Sequence, residues 1–143
     1  SHAHPEYFNR TLEWLIELSR RHEEVQFGLV CLKFANVHLL ASRLPRHRVA
    51  QMFDALAQRL RELIRTTDLF MRDDDACCWV LLPQTPPAGV TILLERIVAL
   101  GAAATPEDGL RIEITTASFT SADAGAGSTN AQLIMGTLRS RVG

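Results

Sequence analysis

The chain has 143 residues, of which 47% are hydrophobic and 22% charged, with a formal net charge of -1 at pH 7. That length makes one domain able to bury a core without disulfides or metal, and the balanced charge excludes bulk attraction to nucleic acid polymers or membrane surfaces. Cys31, Cys77 and Cys78 are an odd count with two adjacent, which excludes a disulfide framework, and His2, His4, His22, His38 and His47 do not combine with them at zinc-site spacing. Free, buried thiols in a reducing compartment are expected, with no metal and no cofactor.

From Tyr7 to Arg21, Phe8, Leu12, Trp14, Leu15 and Leu18 recur at helical spacing, and the segment ends in a basic run. Val25 to Val37 is apolar and reads as a buried strand. Pro45 opens a second helix with the stripe Val49, Met52, Phe53, Leu56, Leu60 and Leu63-Ile64. Asp68 to Arg72 and Cys77 to Leu82 read as a strand pair around the turn Asp73-Asp74-Asp75, and Pro83 stops the second strand. A third helix covers about Ala88 to Leu100, a strand Leu110 to Phe119, a small-residue loop Ser121 to Thr129, and a last helix about Asn130 to Arg139. Setting aside the first and last helices leaves a βαββαβ unit, an α+β, ferredoxin-like core.

No apolar stretch approaches a membrane span and no signal peptide is visible. Ser1-His2 reads as a cloning remnant, so the expectation is a single domain, residues 1–143, from a longer protein. Its expected location is cytoplasmic, free-standing or as the cytoplasmic part of a membrane-anchored protein.

The most informative stretch is Arg65 to Pro83, RTTDLFMRDDDACCWVLLP. Arg65 and Asp68 form an R-x-x-D, Leu69 to Asp73 separate it from a hairpin, and Leu81-Leu82-Pro83 closes the second strand. This pattern resembles the signature region of GGDEF (diguanylate cyclase) domains. Asn9-Arg10, the strand Phe27 to Val37 and Leu94-Glu95-Arg96 are similar to further family segments in the same register, whereas the family's A-D-x-A-L-Y segment near the end is not recognisable. The resemblance implies a nucleotide-cyclase palm with a mixed central sheet flanked by helices.

Active members condense two GTP molecules, using hairpin glycines that let the backbone approach the nucleotide and carboxylates that hold Mg²⁺. By the same resemblance the glycines are replaced here by Asp74 and Asp75, and the D/E-E-F by Ala76, Cys77 and Cys78. The metal-binding Asp of the first strand is replaced by Lys33 and the next by Ala35. The guanine-binding Asn and Asp fall at Ala41 and Ala50. A lysine repels a metal cation and a thiol is a poor Mg²⁺ ligand. The domain is therefore expected to be degenerate and not an enzyme. The plain alternative for the Asp73-Asp74-Asp75 run as a new metal site is a solvated turn.

In many family members the R-x-x-D is an inhibitory site that binds a cyclic di-GMP dimer. Arg presents a planar fork to phosphate or to guanine O6 and N7, and Asp accepts from guanine N1 and N2. The resemblance carries Arg65, Asp68 and Arg96 over as ligand-binding residues, with Arg20 or Arg21 as an additional arginine reaching a neighbouring domain. The plainer readings are a cation at a helix C-terminus for Arg65, a turn residue for Asp68 and a surface position for Arg96. The expected function is a cyclic di-GMP receptor, of the kind found in control of exopolysaccharide production or export. The alternative is a nucleotide-free protein-interaction or homodimerisation module using Leu133, Ile134, Met135 and Leu138. The two part on whether the trio converges on an exposed surface or Arg65 is consumed by an internal salt bridge.

Overall fold

The structure, a computed structural model, describes residues 3–73, 77–124 and 129–143. The expected turn residues Asp74 and Asp75, with Ala76, and most of the small-residue loop lie outside the described residues. In chain order the elements are α1 (Pro5–Arg21), β1 (Phe27–Phe34), α2 (Val37–Arg43), α3 (Arg46–Leu63), β2 (Leu69–Arg72), β3 (Cys77–Pro83), α4 (Pro87–Ala103), β4 (Ile114–Thr120) and α5 (Ala131–Val142).

The strand order is β2-β3-β1-β4, which is the expected ferredoxin-like core. All three pairings are antiparallel, so the sheet is not mixed among the described strands. The helical crossover makes β1 and β2 run the same way, but β3 returns by a hairpin and inserts between them, which leaves no parallel neighbours.

Period-two alternation divides the core. Val30, Leu32 and Phe34 of β1 face Phe53, Leu56 and Leu60 of α3 and Val90, Leu93 and Ile97 of α4. Leu29 and Cys31 join Phe8, Leu12 and Ile16 of α1 and Ile134, Met135 and Leu138 of α5 in a second cluster. β1 and β3 are buried on both faces, which is why they read as continuous apolar runs rather than alternating ones. Gly28 sets the approach of α4: a Cβ there would lie 2.3 Å from Val90 Cγ2. No helix among the described residues is long and apolar enough to cross a membrane.

Three boundaries depart from expectation. The first strand stops at Phe34, and Val37–Arg43 is a separate short helix with Leu40 as its buried residue. Leu110 is not in a strand: it bridges Glu107 across a tight turn with Asp108 at φ 50 and Gly109 at φ 73, and β4 starts at Ile114. The apolar face of the last helix, offered as a docking contact, is the inside of the second cluster. Ile134, Met135 and Leu138 pack on the sheet and only Leu133 is exposed, because a helix stripe next to a bare sheet face gains most by covering it.

Candidate functional site

α3 ends at Leu63 and the chain turns through Arg65-Thr66-Thr67-Asp68 into β2. The turn is closed twice. The Asp68 N–H donates to the Arg65 carbonyl at 3.0 Å, and the Arg65 N–H donates to Asp68 Oδ2 at 2.8 Å. The Asp68 side chain is only 2% exposed, whereas the Arg65 side chain is 54% exposed.

One edge of the Arg65 guanidinium is anchored. Nη2 donates to Asp68 Oδ1 at 3.0 Å, to the Pro83 carbonyl at 2.9 Å and to Thr85 Oγ1 at 2.6 Å. Thr85 is itself buried, and its hydroxyl donates to the Pro83 carbonyl at 3.0 Å. Gln84, at φ 51, makes the bend that brings Thr85 back under the arginine, and α4 begins directly after it. Nη1 donates to no described residue.

Arg65, Asp68 and Arg96 line one open groove of about 280 Å³, with Thr85, Pro86, Gly89, Ile92 and Leu93. Arg96 is exposed on α4 and pairs with no described residue. The trio therefore converges, yet Arg65 is also in an internal salt bridge, and both tests set by the sequence come out positive. The geometry reconciles them: the bridge is to the motif's own aspartate and leaves the outward edge of the guanidinium uncovered. Both oxygens of Asp68 accept from Arg65 and the carboxylate is buried, so in this conformation it positions the arginine.

Thr85 was missed by sequence reasoning. The available signal was a hydroxyl two residues beyond a strand-ending proline, a common place for side chain-to-backbone bonding.

Arg20 and Arg21 are not part of this groove. Arg20 is held by Glu17 at 2.6 Å and donates to the Thr129 carbonyl, and Arg21 is exposed. The start of α1 lies near Arg65, with His4 and Tyr7 beside it. From there a helix rises ~1.5 Å per residue, which puts its last turn about 20 Å away. An arginine from that turn reaches the groove only from another copy or domain.

The hairpin side has different chemistry. Lys33 on β1 lies opposite Cys77 on β3, and Leu32 opposite Cys78. Ala41 and Ala50 are exposed on α2 and α3. Asp73 Oδ2 accepts from Trp79 Nε1 and from Arg139 Nη2, each at 3.0 Å. The Arg139 guanidinium lies 5.2 Å above the Trp79 ring. Lys33 and the buried thiols of Cys77 and Cys78 supply no hard oxygen ligands of the kind Mg²⁺ needs, and Asp73 is engaged by an indole and an arginine. Among the described residues, no group of three His, Cys, Asp or Glu side chains is placed to hold a metal.

Burial pushes all three thiols up. Cys78 reaches about 12. Cys31 is raised by burial and then by the Cys77 thiol beside it, and Cys77 by burial and then by Asp73. In the unfolded chain a thiol ionises near ~8.5. Above that pH the unfolded state releases protons that the folded state retains, so folding stability is intact below it and falls as pH rises. The loss is at most about 1.4 kcal/mol per pH unit for each thiol. Urea midpoints measured from pH 7 to 10 should decline above about pH 8.5, and a triple Cys→Ala variant should flatten that decline.

No family model matches the sequence, and no curated protein matches it. Solved structures do. The active GGEEF domain of a diguanylate cyclase from Vibrio cholerae superposes with a TM-score of 0.82 at 12% identity, over 99% of this chain and 89% of that one. The fold is that of a GGDEF domain. The GGDEF domain of DgcB from Caulobacter crescentus, solved in complex with c-di-GMP, gives a TM-score of 0.78 at 12% identity, over 97% of this chain and 82% of that one. The GGDEF domain of TpbB (YfiN) from Pseudomonas aeruginosa gives 0.68 at 20% identity, over 84% and 70%.

Proposed function

We propose that this chain is a degenerate member of the GGDEF family that binds cyclic di-GMP without making it, through the groove formed by Arg65 and Arg96. The observation that carries this reading is the convergence of two exposed guanidiniums on one groove, one of them fixed from behind by Asp68, Pro83 and Thr85. A guanidinium held by its inner edge gives up little rotamer entropy on binding, and its outer edge offers the fork that phosphate or guanine requires. That a GGDEF-fold domain has been solved with c-di-GMP supports the choice of ligand. Control of exopolysaccharide production or export is the setting proposed for such a receptor.

The proposal of no catalysis rests on Lys33, Ala35, Cys77 and Cys78, whose side chains offer no hard oxygen ligands for Mg²⁺. Incubation with GTP and Mg²⁺ should release no pyrophosphate above the buffer rate. Turnover abolished by Lys33→Ala would contradict this.

Calorimetric titration of cyclic di-GMP into the domain, with Arg65→Ala and Asp68→Ala alongside, tests the receptor reading. Saturable binding is expected, weakened in both variants. Absence of heat from the wild type, confirmed by equilibrium dialysis, would leave a protein-interaction module, for which exposed Leu133 on α5 is what remains of the expected contact.

Thr85→Val gives a narrower prediction. It keeps the volume but removes the oxygen that accepts from Arg65 and donates to Pro83. One hydrogen bond to a charged group contributes about 1.5–3 kcal/mol, discounted here because Arg65 is half exposed. Affinity for cyclic di-GMP should fall about tenfold, equivalent to about 1.4 kcal/mol. Unchanged affinity in a folded Thr85→Val variant would remove Thr85 from the site.

A further inference from the structure

A second, larger groove shares Ile64, Arg65 and Asp68 with the Arg96 groove but is closed by other elements. Its volume is about 580 Å³, and His4 and Tyr7 at the start of α1, Arg61 on α3 and Phe70 on β2 line it. Its walls are fixed. The Ala3 N–H donates to the Phe70 carbonyl at 2.7 Å, fastening the segment before α1 to the edge of the sheet. Phe70 is 2% exposed, and the Arg61 guanidinium lies 5.6 Å above its ring. Tyr7, the single tyrosine of the chain, is by contrast 59% exposed at the rim.

Size separates the two grooves. Small-molecule sites occupy about 300–1,000 Å³. The groove beside α1, at about 580 Å³, lies inside that range and is about twice the size of the Arg96 groove, at about 280 Å³. Two guanidiniums beside a solvent-facing aromatic ring are the components that hold a phosphodiester next to a stacked base.

We propose that this groove is a second subsite for the same ligand, in which a guanine stacks on Tyr7 and a phosphodiester lies between Arg61 and Arg65. This rests on the receptor reading above and extends it: Arg65 is the shared wall, and the ligand straddles it. Occupancy of the groove also ties the ligand to the start of α1, and so to whatever chain leads into that helix.

The test is calorimetric titration of cyclic di-GMP into the wild-type domain and into Tyr7→Ala, Arg61→Met and Arg96→Ala, together with the ring resonances of Tyr7 followed by NMR in the wild type. Arg61→Met retains an apolar stem over Phe70, and melting curves confirm that each variant is folded. Stacking on one base corresponds to a loss of about ten- to a hundredfold on truncation to alanine. That loss is expected for Tyr7→Ala, with an upfield movement of the Tyr7 ring resonances on saturation. Wild-type affinity in both Tyr7→Ala and Arg61→Met with unmoved ring resonances, while Arg96→Ala loses binding, would overturn the second subsite and leave the receptor reading intact. No binding by the wild type would overturn both.

Discussion

Arg65→Ala should weaken cyclic di-GMP binding by at least about a hundredfold, equivalent to about 2.7 kcal/mol. Arg65 lines both grooves, so its loss removes charge-assisted bonds worth about 1.5–3 kcal/mol each from two parts of the site. The same change has a structural cost. Asp68, 2% exposed, keeps only the main-chain N–H of residue 65 as a donor, and a buried carboxylate that loses partners destabilises the fold. Arg96→Ala separates the two effects. Its side chain is exposed and holds no described residue, so it should lower affinity with almost no change in the urea midpoint. If Arg65→Ala binds as the wild type does, the site is elsewhere.

Trp79→Ala should cost about 3–5 kcal/mol of folding stability. Trp79 is fully buried on β3 at the centre of the cluster that unites α1, α5 and the sheet. Its indole N–H holds Asp73 on the way into the hairpin, and its face carries Arg139 of α5. Truncation removes a large apolar surface, leaves a cavity and takes one donor from Asp73, so three elements loosen together. A domain of this size has about 5–15 kcal/mol in total, so the variant should be a substantial fraction unfolded well below the wild-type melting temperature. Trp79→Phe fills most of the cavity and should recover more than half of the loss. Chemical denaturation followed by far-UV circular dichroism measures both, and a loss below about 1 kcal/mol for Trp79→Ala would show that the cluster does not depend on this residue.

The core was legible because its pattern is strong. Buried β1 and β3 appear as unbroken apolar runs, and the stripes of α1 and α3 repeat at helical spacing. What failed was local. Val37–Arg43 has a single buried residue, Leu40, and so carries too little periodicity to separate it from the strand before it. Leu110 to Glu113 reads as the start of the strand because Ile112 is buried in the core without being in the sheet, but Leu110 is bridged back to Glu107 across the turn at Asp108 and Gly109. At the candidate site, the R-x-x-D named Arg65 and Asp68 and the family resemblance added Arg96, but neither said how the residues divide their roles. That Asp68 is buried and Arg65 half exposed depends on how tightly the turn after α3 closes. Thr85 enters only because Gln84 adopts a left-handed conformation. Neither fact is written in spacing.

The measurement that tests the central claim most directly is an NMR titration of cyclic di-GMP into the isotope-labelled domain, mapped by residue. The account predicts saturable shifts concentrated at Arg65, Thr85, Ile92 and Arg96, with Cys77 and Trp79 unmoved. An absence of shifts, or shifts confined to β1 and β3 around Lys33 and Cys77, would contradict it.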